Sequence, residues 1–90
     1  MEIEVKILRV GKVEQIKDNF KKRVLEVEVD YEGNYPQPRE FELINDQVSL
    51  ADGLFAGQIV TLCYNMKGKK MTDKSGKERI QNRDQVWKIK

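Results

Sequence analysis

The residues of this chain with the clearest chemical potential are two clusters of fixed cations. Lys21, Lys22 and Arg23 follow Lys17 early in the chain, and Lys67, Lys69, Lys70, Lys74, Lys77 and Arg79 crowd together between residues 67 and 79. Cations at this density can neutralise phosphates, with affinity drawn largely from counterion release and falling steeply with salt. Aromatic residues sit beside both clusters: Phe20 between Asn19 and Lys21, and Tyr64 and Trp87 on either side of the second. A ring in such a setting can stack on a base for about 1–3 kcal/mol. Each feature also has a plainer reading. Scattered lysines keep a small protein soluble, Phe20 suits a loop anchor folded over a core equally well, and a lone Trp near a strand end is more often packing than contact.

Other chemistries lack their parts. The chain has no histidine, which removes the usual general base and the commonest metal ligand. Its single cysteine, Cys63, rules out an internal disulfide and a cysteine zinc cluster, and its apolar neighbours suit a buried, inert thiol. Ser49 and Ser75 have no histidine to activate them. No carboxylates fall at a spacing that marks a metal site or an acid/base pair. The Gly68–Gly76 segment continues as Gly76-Lys77-Glu78, not as the Gly-Lys-Ser/Thr of a P-loop. The expectation is a non-enzymatic protein with no cofactor, no metal and no small-molecule substrate.

At 90 residues, with 39% hydrophobic and 36% charged, the chain fits one domain (1–90) with a thin core, which a closed sheet builds economically. The net charge of +2 hides an asymmetry. Residues 1–66 hold eight Lys/Arg against twelve Asp/Glu, a net −4, whereas residues 67–90 hold nine against three, a net +6. Such a split points to a polyanionic partner. Met1–Lys6 alternates charged and aliphatic residues and does not read as a signal peptide, and no apolar run is long enough to cross a bilayer. A soluble cytoplasmic domain with no membrane partner is expected.

The elements that must position these residues follow from periodicity. Ile3, Val5 and Ile7 alternate with charged residues as a first strand. The phase slips at Leu8, after which Val10 and Val13 carry the apolar face, predicting a bulge helped by Gly11. Gln15–Phe20 reads as a turn. Leu25, Val27, Val29 and Tyr31 face one way in a second strand, and Phe41 and Leu43 mark a third. Asp46 is placed to cap a short helix over Gln47–Asp52, which Gly53 ends. Gln58–Met66 is a fourth strand, Gly68–Lys77 a polar hairpin loop, and Ile80–Ile89 a fifth strand. This order predicts an all-β protein, a five-stranded OB-fold barrel with one short helix between strands three and four. An SH3-like barrel is the rival, but it normally lacks that helix.

In an OB barrel the loops between strands one and two and between strands four and five flank the face where oligonucleotides bind. Both basic clusters then bracket one groove. The outward positions of strands two and three argue the other way, because Glu26, Glu28, Asp30, Glu40 and Glu42 would repel a nucleic acid if they lined it. Tyr35, beside Pro36, suits either a loop platform or a lid.

Several features together resemble a known family. They are Phe20-Lys21-Lys22 before an alternating strand, Tyr35-Pro36, Phe41 leading to Asn45-Asp46, Gly57 before a strand, and the terminal Val86-Trp87-Lys88-Ile89. The resemblance is to short bacterial and phage proteins of uncharacterised function that adopt an OB fold and are similar to single-stranded-DNA-binding proteins. It implies the barrel and a role in binding single-stranded DNA. The chain departs from that pattern in having Phe20 where many relatives have tryptophan, and in a longer basic stretch at 67–79. Its last residues read Lys88-Ile89-Lys90, not the acidic tail by which replication-type single-strand binders recruit other proteins, so such a recruiting role is not expected. The expected partner is single-stranded DNA, or RNA, bound with little sequence preference. The expected site comprises Phe20, Lys21, Lys22, Arg23, Tyr64, Lys67, Lys69, Lys70, Lys74, Lys77, Arg79 and Trp87. The alternative is a protein-interaction or oligomerisation module with no nucleic-acid role, and a homo-oligomer is among the expected partners.

Overall fold

In the computed structural model, which describes all 90 residues, the alternating segments form strands β1 (Glu2–Val10), β3 (Phe20–Val29) and β4 (Gln37–Ile44). A short strand β2 (Glu14–Lys17) precedes β3. A 3-10 helix (Asn45–Ala51) separates β4 from the long strands β5 (Ile59–Thr72) and β6 (Glu78–Ile89). β1 pairs antiparallel with both β5 and β3, β3 with β4, and β5 with β6, while β4 meets β6 in parallel at Glu42 and Gln85. Those five strands close on themselves, with the helix between the third and fourth of them. This is the OB barrel.

Closure needs β1 to serve two partners, and the predicted phase slip is how it does so. Glu2–Lys6 pairs with β5, Lys6–Val10 pairs with β3, and Leu8 is the bulged residue between Ile7 and Arg9. Gly11 then lies tight against β3, its amide donating to the Val24 carbonyl at 2.9 Å. A Cβ there would sit 2.7 Å from that oxygen, so only glycine allows the approach. Val10 packs against the core as expected, whereas Val13 is exposed.

The inward row of every barrel strand contributes to one core. Val5 and Ile7 meet Leu25 and Val27, Phe41 and Leu43, Val60 and Leu62, and Val86, with Val48 and Ala51 of the helix plugging one end. Asp46 lies inside the first turn of that helix instead of capping it. The cap position is Ile44, which makes no side-chain cap bond, and the polar side chain of Asn45 instead accepts the Lys21 amide at 2.9 Å. Gly53, at φ +86°, turns the chain out of the helix as its position suggested.

Two further expectations are corrected. Gln15–Phe20 is not one turn: Glu14–Lys17 pairs with Phe20–Lys22, leaving only Asp18 and Asn19 to reverse the chain. Gly68–Lys77 is not a loop. β5 and β6 stay paired from Tyr64–Val86 out to Thr72–Glu78, and only residues 73–77 turn. The basic segment is therefore a two-stranded ribbon that outruns the barrel.

Candidate nucleic-acid interface

A β-ribbon sorts its side chains by parity, because paired residues share a face. One face of the β5–β6 ribbon carries Lys67 opposite Arg83, Lys69 opposite Gln81, and Met71 opposite Arg79. It holds four cations and no carboxylate. The other face carries Met66 opposite Asp84, Gly68 opposite Asn82, Lys70 opposite Ile80, and Thr72 opposite Glu78. The basic cluster is thus not a cloud of lysines. It is segregated, and one side of the ribbon is purely cationic.

That side looks toward the β2–β3 hairpin. Lys67, Lys69, Gln81, Arg83 and Gln85 line a cleft of about 430 Å³ together with Ile16, Phe20, Lys22, Glu42 and Ile44. Ile16, Phe20 and Ile44 supply the apolar part, four cations surround it, and Glu42 is the only carboxylate. The cleft opens into a broader groove of about 690 Å³, where Val24, Met66, Gly68 and Asn82 add walls and Arg39, Glu40 and Asp84 add charges of both signs.

Of the carboxylates that argued against a nucleic-acid groove, Glu42 lines both the cleft and the broader groove and Glu40 lines the groove, while Glu26, Glu28 and Asp30 lie outside both. On the outward row of β3 and β4, Lys22 faces Ile44, Val24 faces Glu42, Glu26 faces Glu40, and Glu28 faces Pro38. The row is basic and apolar at the Phe20 end and acidic at the other. Glu26 and Glu40 are directly opposed and mutually repulsive; Glu40 reaches the broader groove and Glu26 does not, with Arg9 3.7 Å from Glu26. Arg39 and Asp84 neutralise one another at 2.6 Å, the guanidinium lying 5.9 Å over the Phe41 ring.

The expected site residues divide by what they touch. Lys67 and Lys69 are exposed and without ion-pair partners, and share the cleft with Phe20 and Lys22. Arg79 lies further out on the same cationic face, and Lys21 and Lys70 point away from it. Lys74 and Lys77 belong to the ribbon's tip. There the Asp73 carboxylate accepts from the Ser75 hydroxyl at 2.7 Å and from the Lys77 amide at 2.9 Å. Those bonds, the Ser75 hydroxyl first, hold the Asp73 carboxyl below the usual carboxylate range.

Arg23 and Tyr64 have structural work. Arg23 Nε donates to the Gly11 carbonyl at 2.8 Å, and Nη1 reaches the Val48 carbonyl at 3.0 Å and Asp52 at 2.8 Å. It ties the β1 bend to the helix. Tyr64 shares the inward row with Val86 and meets Phe41 edge-on, with ring centroids 5.1 Å apart. Trp87 is 49% exposed and is the bulged residue of β6, between Val86 opposite Tyr64 and Lys88 opposite Cys63; it does not line the Phe20 cleft. Tyr35, at 79% exposure, stands free in the β3–β4 connection.

Arg83, Gln81, Ile16 and Ile44 are cleft residues that reading the sequence alone did not select. Arg83 was hidden inside an assumed strand. Its alternation with Arg79 and Gln81, against Glu78 and Asp84 in the other phase, is the signal that separates the two ribbon faces.

Over residues 2–90 the chain matches, and belongs to, a family described as a domain of unknown function (DUF3127). No curated protein sequence matches it. Among solved structures it is similar to the crystal structure of the mitochondrial single-stranded DNA binding protein Rim1 of S. cerevisiae. The TM-score is 0.71 with 13% sequence identity, over 100% of this chain and 90% of that one. At that identity the likeness is one of fold.

Proposed function

We propose that this protein is a non-enzymatic OB-fold module that binds single-stranded nucleic acid, DNA in the first instance, with little sequence preference. The observation that carries the reading is the convergence of two distant elements on one cleft. The β2–β3 hairpin brings Phe20, Ile16 and Lys22, and the cationic ribbon face brings Lys67, Lys69 and Arg83. An apolar surface ringed by cations suits a strand whose bases stack inward while its phosphates lie along the rim. The fold shared with a single-stranded DNA binding protein supports the same reading.

In this account Phe20 is the principal stacking platform, and the exposed Trp87, at the β6 bulge outside the cleft, offers a second. Lys22, Lys67, Lys69, Arg79 and Arg83 meet phosphates, while Lys21, Lys70, Lys74 and Lys77 contribute to the surrounding field. Arg23 and Tyr64 are left out of the contact set because both are committed to holding the barrel. Titration of labelled oligo-dT at low and moderate salt tests the proposal. Binding that weakens steeply with salt supports it, and no binding at low salt overturns it.

One observation favours a second reading, a protein-interaction or oligomerisation module. Beyond Gln85 toward the tip, β6 pairs only with β5, and β5 past Tyr64 pairs only with β6, so the ribbon offers two open edges. A stable oligomer, measured by mass in solution, that ignores oligonucleotide would favour that role.

A further inference from the structure

Glu42 is the one carboxylate lining the Phe20 cleft. It stands on the outward row of β4, with 15% of its side chain exposed. A single oxygen, Oε1, meets Lys22 Nζ of β3 at 3.4 Å and Arg83 Nη1 of β6 at 2.5 Å. With its carboxamide oxygen turned toward it, Gln81 also accepts from Arg83 Nη2 at 2.7 Å. Two of the four cleft cations are therefore engaged by one resident anion. Lys67 and Lys69 have no such partner.

We propose that Glu42 is a resident stand-in for a phosphate group, competing with the incoming strand for the donors of Lys22 and Arg83. The inference rests on the nucleic-acid reading above and deepens it. A carboxylate and a phosphate oxygen ask for the same charge-assisted hydrogen bonds. In the free protein Glu42 satisfies both cations and holds them on the cleft wall. A ligand that takes them over must displace Glu42 and accept its negative charge as a close neighbour. A strand already held by Lys67, Lys69 and Arg79 pays that penalty from several contacts at once, whereas a single nucleotide has no such reserve. Glu42 thereby sets a threshold that favours polymers over mononucleotides, a repulsive element of the kind that specificity requires.

The test is Glu42→Gln, which keeps an acceptor for Lys22 and Arg83 and removes the charge. Oligo-dT affinity is measured from 50 mM to 1 M salt beside the unaltered protein and Glu26→Gln, whose carboxylate lies outside the Phe20 cleft. Freeing one additional cation steepens the log–log salt slope by about 0.7, which corresponds to about fivefold tighter binding at 0.1 M salt if the two proteins bind alike at 1 M. Glu26→Gln should change affinity less. Equal or weaker binding by Glu42→Gln with an unaltered slope overturns the inference alone, as does an equal gain in Glu26→Gln. No binding by the unaltered protein at low salt overturns the nucleic-acid reading as well. Should Glu42→Gln fail to fold, the unaltered protein still decides. Its Arg83 guanidinium nitrogen resonances should shift on adding oligo-dT, and unmoved resonances at saturation overturn the proposal.

Discussion

Replacing Lys67 and Lys69 together with alanine isolates the ribbon's share of binding. Both side chains are exposed, lack ion-pair partners and lie on the cationic face that lines the cleft. Their loss should leave the barrel intact, because surface changes of this kind move stability by no more than about 0.5 kcal/mol. The effect on binding is larger. Five cations, Lys22, Lys67, Lys69, Arg79 and Arg83, are proposed to meet phosphates, with Glu42 offsetting one charge of the Lys22 and Arg83 pair, and each net contact on a single strand contributes about 0.7 to the log–log salt slope. The slope should be about −2.8 for the unaltered protein and about −1.4 for the double variant. Raising salt from 50 to 200 mM would then weaken the first about 50-fold and the second about 7-fold. Fluorescence anisotropy with labelled oligo-dT, at four or more salt concentrations, measures both slopes. A double variant that keeps the full slope would show that the ribbon does not touch phosphate.

Three further outcomes follow from the same geometry. Phe20→Ala should weaken oligo-dT binding by about 1–3 kcal/mol at every salt concentration without altering the slope, because stacking releases no counterions; a changed slope would place Phe20 outside that role. Arg23→Met should lose the ties to Gly11, Val48 and Asp52. A cost of about 2 kcal/mol lowers the melting temperature of a domain this size by about 8–16 °C, and calorimetry showing no fall would remove Arg23 from the barrel's framework. Tyr31 donates its hydroxyl to Glu4, which pushes the phenol up to about 12 from an ordinary value near 10. Because the folded value is the higher one, the hydrogen bond contributes fully below about pH 10 and is lost as pH rises through about 12. Ultraviolet titration should find Tyr31 ionising late, and Glu4→Gln should bring it down.

How much of this was legible in the sequence depended on whether a strand buries one face. β1, β3 and β4 each place apolar residues on the core side and charged ones outside, so Val5, Ile7, Leu25, Val27, Phe41 and Leu43 announce themselves by parity. The slip at Leu8 was readable for the same reason, and with it the bend that closes the barrel. The ribbon had no such signal. Beyond the barrel neither of its faces is buried, so residues 67–77 are lysine, glycine, methionine, threonine, aspartate and serine with no apolar alternation, a composition that also suits a loop. Its regularity comes from backbone pairing and from the tight Asp73–Lys77 turn, and neither depends on apolar periodicity.

The site was half legible for a related reason. Residue type located the cations and Phe20, but type alone cannot say which charges are already satisfied. Arg23 and Lys22 are neighbours in sequence and opposite in parity. One is drawn under the barrel's end to three acceptors, and the other stands on the cleft wall beside Glu42. Register divides the acidic residues of β3 and β4: Glu26 and Glu28 lie away from the groove, whereas Glu40 lines its broader part with Lys22, and Glu42 lines the cleft itself.

Chemical-shift mapping of the labelled protein during titration with oligo-dT asks most directly whether hairpin and ribbon act as a single surface. Resonances of Phe20, Lys22, Lys67, Lys69, Gln81 and Arg83 should move together along one binding curve, while those around Glu26 and Glu28 stay still. Shifts confined to one of the two elements, or centred on the acidic end of β3 and β4, would contradict the account.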